Sequence, residues 1–461
     1  MRTRASSGAE EPRLKQGEEG QVTDRVGGSR RSADLVSGSG AELYALVQRL
    51  FPICRSITGD GVRKTLAIVG EHIPLSVQEV PTGTKVFDWV VPREWNITDA
   101  YVKDSRGRRV IDFGQSNLRV VNYSVPVNRR MPLAELRSHL HALPDHPDWI
   151  PYRTSYYNES WGFCLSQREL DSLEEDDYEV VIASSLEDGA LTYGECLIRG
   201  GTDEEILLYT HTCHPSLAND NLSGIAVATY LAKIIGSRPS RYTYRFVFGP
   251  GTIGSITWLA KNEAHLGHIK HGMVVGLVGD PGPFRYKKSR SGDVEIDRMA
   301  AHVLEQSDSR HEVLEFSPYG YDERQFCSPG IHLPVGRLTR SPDSGYPQYH
   351  TSADDLDLVS AGQLEEALGI CLQILDGLEV NRVYLNTQPK GEPQLGRRGL
   401  YRKTGGQQGL GRRELALLWV LNMSDGRHSL LDIADRADLP MATVAEATVD
   451  LEACGLLRRM A

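Results

Sequence analysis

The sequence predicts an α/β protein: a mostly parallel sheet flanked by helices, interrupted by a β-rich insertion and followed by a winged-helix module. Three observations predict it. Between Gly200 and Asp280, strand-like and helix-like segments alternate (ILLYTH, NLSGIAVATYLAKIIG, YTYRFVF, SITWLAKN, GMVVGLVGD), which is the pattern of a parallel sheet with crossover helices. Before it, from Lys85 to about Gly200, there are strand-like runs and turns (VFDWVVP, AYVKDSRGRRVIDF, YEVVIASSLEDGALTYGECLIRG), with Tyr, Trp and Pro clustered around Asp148 to Trp161. After it, beyond a stretch rich in Gly, Pro, Gln and Arg, the tail RRELALLWVLNMSDGRHSLLDIADRADLPMATVAEATVDLEACGLLRRM reads as three helices with turns at Ser424-Asp425-Gly426 and Leu439-Pro440.

Taken in order, residues 1–38 are rich in Arg, Glu, Gly and Ser and poor in large apolar residues, so they read as disordered. Arginines near the start are followed by no apolar stretch of export-signal length, which argues against secretion. Apolar residues at helical spacing begin at Ala41, opening an α/β body assigned to 39–84 and 200–386. The β-rich insertion takes 85–199, the linker 387–408 and the winged helix 409–461. At about 150 residues per domain, 461 residues are enough for this division.

Composition excludes several classes. Hydrophobic residues at 40% and charged residues at 24% are ordinary for a globular chain. No apolar run reaches the roughly 18 residues of a membrane helix, so no membrane partner is expected. The net charge of −10 argues against nucleic acid as the main partner, since that binding rests on phosphate neutralisation. Seven cysteines, an odd number without C-x-x-C pairing, point to a reducing cytoplasm rather than a disulfide scaffold.

In α/β sheets, ligands collect outside the carboxyl ends of the strands. The strand ILLYT runs into His211-Thr212-Cys213-His214-Pro215 and then Ala218-Asn219-Asp220-Asn221; GMVVGLV runs into Gly279-Asp280; a later segment supplies His350. Imidazoles and carboxylates gathered from separate strand ends are what a catalytic zinc site requires, with few protein ligands and an open position for water.

HTCHPSLANDNLSG, GPGTIGSITWL, GDPGPFRYKKSR, YGYDERQFCSPGIHLPVGRLTRS and YHTSADDLDLV together resemble the aminopeptidase-like domain proteins of bacterial polysaccharide and natural-product gene clusters, a branch of the zinc aminopeptidase superfamily. The resemblance spans about Ala41 to Asn386, including the β-rich insertion, and the family it points to also carries a C-terminal winged helix. It implies zinc as cofactor and amide hydrolysis at the amino end of a peptide or aminoacylated small molecule. By the same resemblance Asp220 is the carboxylate that bridges metals, His211 the first histidine ligand, Asp280 a further ligand on that metal and His350 a ligand of the second metal. His214 lies close enough to replace or supplement His211, and the two stay open.

One departure stands out. Where the superfamily places a Glu-Glu pair after the strand YTYRFVF, this chain reads Gly249-Pro250-Gly251-Thr252-Ile253-Gly254. Without the first Glu, Glu323 or Asp322 in YGYDERQF is the expected replacement base, and the thinner shell favours one zinc over two. Arg337 and Arg340 are expected to hold a substrate carboxylate or phosphate. The missing Glu leaves a scaffold protein with an intact pocket as the alternative. Gly249, Gly251 and Gly254 also spell G-x-G-x-x-G, the fingerprint of a dinucleotide-dependent oxidoreductase, although the run does not open the α/β region. His265, His268 and His271 have metal-like spacing but read as a solvent-facing helix end. In the tail, the third helix carries Glu446, Asp450 and Glu452 and no basic residue before Arg458, so a homodimer or a peptide or protein contact is expected there rather than DNA.

Overall fold

The computed structural model describes residues 35–341, 345–400 and 411–460. Most of the predicted disordered lead, and residues 401–408 of the predicted linker, lie outside the described residues.

Two amphipathic helices begin the body, α1 (Gly40–Leu50) and α2 (Asp60–Gly70), followed by strand β1 (Ser76–Pro81). The insertion supplies β2 (Glu94–Lys103), β3 (Arg109–Asp112), β4 (Val127–Pro132) and β5 (Asp177–Glu187). The body resumes with β6 (Ala190–Ile198), β7 (Glu205–His211), helix α3 (Gly224–Gly236), β8 (Thr243–Gly249), α4 (Ile253–Asn262) and β9 (Ile269–Val275). It closes with β10 (Phe284–Lys287), α5 (Glu295–Glu305), β11 (His311–Leu314), β12 (Val335–Thr339) and the long helix α6 (Ala361–Val380). The tail adds β13 (Val383–Asn386), α7 (Arg412–Met423), β14 (Asp425–Ser429), α8 (Leu430–Ala437), α9 (Met441–Ala453) and β15 (Leu457–Arg459).

The central sheet has eight strands in the order β1-β6-β8-β7-β9-β12-β10-β11. Its middle, β8-β7-β9-β12, is parallel, and β6 and β10 pair antiparallel at the two flanks. Both faces of the middle are covered, which is why β7 and β8 read as continuous runs with every residue buried rather than alternating. On one face α1, α3, α5 and α6 pack through residues such as Leu43, Leu231, Met299 and Leu372. On the other lie α4 with Trp258, and Trp95 and Phe326. Each such fully buried side chain contributes about 1.5–3 kcal/mol.

The insertion forms its own antiparallel sheet, β3-β2-β5-β4, over a separate core that includes Val102, Leu133, Phe163 and Tyr178. Three segments sit differently from the division read in the sequence. β6, within the span given to the insertion, joins the central sheet. β13, within the span given to the body, pairs with β14 and β15 and completes the wing of the tail. Val36, within the span given to disorder, is buried in the main core, and the amides of Gly38 and Gly40 donate to Glu365 on α6. Strand periodicity marks a strand but not its partner, because pairing is decided by distant segments.

Candidate functional site

β7 is buried along its length and ends at His211, so the next residues emerge at the carboxyl edge of the sheet. There the chain bends through His214 to the turn Ala218-Asn219-Asp220-Asn221. The Asn221 amide donates to Thr210 Oγ1 and the His211 carbonyl (both 2.9 Å), and its oxygen accepts from the Leu277 amide. A β-carbon at Gly276 would lie 2.8 Å from that oxygen, so the strand end needs glycine there. Asn219 accepts from the Gly279 amide at 2.8 Å, tying the same turn to the loop that follows β9.

This framework sets Asp220, fully buried, between three imidazoles. His211 Nε2 is 2.7 Å from Oδ1, His214 Nδ1 is 3.6 Å from the same oxygen, and His350 Nε2 is 3.0 Å from Oδ2. The ligand atoms of His211, His214 and Asp220 all lie within 4.8 Å of one another, the one such group among the described residues. Burial alone would push the Asp220 carboxyl up, but His214 beside it and the bonds from His211 and His350 outweigh it and hold the carboxyl well below its usual range. Burial pulls His214 down to about 3, so its ring is neutral and offers a lone pair. A buried carboxylate ringed by imidazole nitrogens is a donor set that suits a divalent ion of borderline softness.

His211 and His214, left open by the sequence, are both in the cluster, and His350 completes it. Asp280 is not. Its oxygens accept from the Asn219 amide (2.9 Å), the Gly282 amide (2.7 Å), and the Ser341 hydroxyl (2.7 Å) and amide (3.2 Å). These bonds tie Asp280 to Asn219, and through it to the turn carrying Asp220.

Asp322 and Glu323, adjacent in sequence, separate in space. Asp322 accepts from the Thr252 amide (2.7 Å) and the Ser255 hydroxyl (2.6 Å) at the start of α4, and its Oδ2 lies 4.0 Å from the β-carbon position of Gly251. Burial pushes its carboxyl up, against the pull of His211. Glu323 turns into a buried pair with Lys287 at 2.5 Å and Arg337 at 3.4 Å. Arg337, expected to hold substrate, is 2% exposed in this pair and lies over the Tyr321 ring. Arg340 also points inward: it donates to the Val278 and Gly282 carbonyls, pairs with Glu366 and covers Phe284. Both arginines are themselves buried, Arg337 against Glu323 and Arg340 against backbone carbonyls and Glu366.

The glycine run Gly249 to Gly254 faces this same site. The Gly251 amide donates to Cys213 Sγ at 3.3 Å, and a β-carbon there would meet Cys213 Sγ at 3.4 Å and His211 Cβ at 3.7 Å. Of the histidine run, His265 bonds Glu205 at 2.8 Å and stacks on His268, whereas His271 is buried on β9 beside Tyr242. His271 therefore departs from the solvent-facing reading.

Two residues of the site were not among those the sequence singled out as site residues. Tyr152, from the insertion, sets its ring edge-on to both His214 (5.3 Å) and His350 (5.2 Å), and its hydroxyl bonds Tyr156 at 2.8 Å. The insertion reaches the site because the Tyr152 amide donates to the His350 carbonyl and Ser352 bonds Ile150 in both directions. Asp354, fully buried and pushed up to about 8 chiefly by burial, accepts from the amides of Asn219 and Asp220. The Tyr, Trp and Pro cluster around Asp148 to Trp161 was the available signal for Tyr152; for Asp354 it was the second carboxylate run after His350.

The chain matches the family described as "Domain of unknown function (DUF4910)" over residues 44–381 and the one described as "winged helix-turn-helix" over 382–459. A Clostridium acetobutylicum protein named for polysaccharide biosynthesis and an aminopeptidase-like domain is 54% identical over 422 residues, covering 92% of this chain and 97% of its own. A crystal structure from Clostridium acetobutylicum, described as that of a peptidase, superposes with a TM-score of 0.89 at 52% identity, over 94% of this chain and 99% of that one. The zinc aminopeptidase BSAP from Bacillus subtilis shares the fold, with a TM-score of 0.52 at 13% identity over 72% of this chain and 93% of its own. With residues 44–381 matched by its model and a winged helix-turn-helix matched over 382–459, the chain belongs to the DUF4910 family.

Proposed function

We propose that this chain is a zinc-dependent, aminopeptidase-like hydrolase that cleaves an amide at the amino end of a peptide or aminoacylated small molecule. The observation that carries the reading is the convergence of His211, His214 and His350 on the two oxygens of Asp220. These four residues would hold the metal. Bound there, zinc supplies Lewis acidity toward a carbonyl oxygen and makes a water molecule more acidic.

The remaining work falls to the protein's own groups. Asp322 stands in for the absent Glu: its Oδ2, beside Gly251 and near His211, accepts a proton from the attacking water and returns it to the leaving amine. Its raised carboxyl suits a group that must both take and give a proton. Asp354, Asn219 and Asp280 hold the Asp220 turn, and Tyr152 walls the site on the side of the insertion. The names of the Clostridium relatives support a peptidase-like activity and a place in polysaccharide biosynthesis. The free cysteines support a cytoplasmic setting.

The test combines metal analysis with turnover. Purified protein should carry zinc that Asp220→Ala abolishes, and should release amine from aminoacyl amides. Zinc-loaded protein that turns over nothing in a broad panel, as wild type and as Gly251→Glu, would establish the scaffold reading that the bare Gly251 favours.

A further inference from the structure

Between α1 and α2 the chain passes through Arg55, whose side chain is fully buried. Five arginines are buried among the described residues, and four of them face a carboxylate: Arg119 pairs with Glu169, Arg245 with Glu195 and Glu205, Arg337 with Glu323, and Arg340 with Glu366. Arg55 pairs with no carboxylate among the described residues. A guanidinium is always charged, and burying one without a counter-charge is costly, so the position needs a reason.

The bonds of Arg55 supply one. Nη1 donates to the Leu50 carbonyl at the end of α1 (2.8 Å) and lies 3.4 Å from the Thr65 hydroxyl on α2, which fixes the side chain. Nε donates to the His214 carbonyl at 2.8 Å. Nη2 is buried with no hydrogen-bond partner among the described residues. A planar fork serves both directions at once, which a single ammonium does not.

Each imidazole of the site is held at its main-chain carbonyl from a different quarter. The Asn221 side chain donates to His211, the Tyr152 amide to His350, and Arg55 to His214. The Arg55 carbonyl in turn accepts from the Asn122 side chain at 2.9 Å, and the Asn122 amide donates to the Arg153 carbonyl, next to Tyr152. The Tyr152 ring packs edge-on against His214. One residue thus supports both the His214 main chain and the segment that walls its ring.

We propose that Arg55 is a positioning residue for the metal site, acting through His214: its Nε–H fixes the loop from which the His214 ring reaches the ion. This role presupposes that His211, His214, Asp220 and His350 hold zinc.

Zinc affinity of the full chain, measured by competition with a chromogenic chelator, tests it. Arg55→Lys keeps the charge but not the fork, and should weaken zinc binding by about 10- to 100-fold, the usual effect of removing a group that orients a ligand. In the His214→Ala background the same substitution should change the residual affinity by less than about twofold, because the ligand it orients is gone. Thr65→Val disturbs the same buried place without touching the Nε bond, and should leave zinc affinity unchanged. In wild-type protein labelled with [15N]arginine, the Arg55 Nε–H should resist exchange and move in step with zinc loading. Its signal is assigned by its loss in Arg55→Lys or, if that variant does not fold, by its shift in Thr65→Val. Unchanged zinc affinity in Arg55→Lys, an equal loss with and without His214, an equal loss in Thr65→Val, or an Nε–H that exchanges freely would overturn the role of Arg55 alone. Wild-type protein that takes up no zinc would overturn the metal reading, and this role with it.

Discussion

Asp322 Oδ2 lies 4.0 Å from the place where a β-carbon at Gly251 would stand, and that same β-carbon would lie 3.7 Å from His211 Cβ. The missing side chain and its proposed substitute therefore border one space beside the first imidazole.

Asp322→Asn should lower kcat on aminoacyl amides by about 10²- to 10⁴-fold, the range for removing a positioned proton-transfer group. Gly251→Glu meets only ordinary contacts at its β-carbon, so it should fold. In the Asp322→Asn background it should restore part of the lost kcat. Steady-state kinetics of the two single variants and the double variant check this, and unchanged kcat in Asp322→Asn would remove Asp322 from the reaction.

His214→Ala should release zinc as His211→Ala does, because both ring nitrogens face the same oxygen of Asp220. Asp280→Asn should retain zinc, since Asp280 meets Asn219, Gly282 and Ser341 rather than the imidazoles. Metal content after dialysis distinguishes ligand from support; zinc lost from Asp280→Asn and kept by His214→Ala would reverse the assignment.

Removing Glu323 should cost stability rather than chemistry. Glu323→Gln leaves Lys287 and Arg337 buried beside a neutral amide, and breaking such a pair typically costs about 3–5 kcal/mol. Thermal unfolding should show a lower midpoint, with KM and kcat of the folded enzyme nearly unchanged at low temperature.

His271 should make the fold acid-sensitive. Burial, helped by Arg241 and Lys270, pulls its imidazole from 6.5 down to about 4. The unfolded chain takes up a proton near 6.5 that the folded chain refuses until about 4, so the stability is present above pH 6.5 and is lost as pH falls toward 4. The full effect is about 3 kcal/mol. His271→Gln cannot titrate, and denaturant midpoints at pH 7 and pH 5 should lie closer together for it than for the wild type.

Much of this protein was determined by sequence alone. Continuous apolar runs such as ILLYT specify strands buried on both faces, and an alternation of such runs with helices leaves a parallel sheet as the outcome. The place of His211, His214, Asp220 and His350 followed from the rule that loops at the carboxyl ends of strands carry the chemistry. Tertiary structure alone decided the rest. Asp322 and Glu323 are neighbours in the chain, yet one faces Gly251 and the other is buried against Lys287, because a short helix begins between them and turns successive side chains apart. Asp280 follows its strand as a ligand would, yet Asn219 and Ser341 occupy its oxygens. Tyr152 reaches the imidazoles only because the insertion folds back onto the His350 loop, some two hundred residues along the chain. Residue type and spacing state which groups are able to ligate or ionise; which of them meet depends on long-range packing, and that is settled only when the whole core closes.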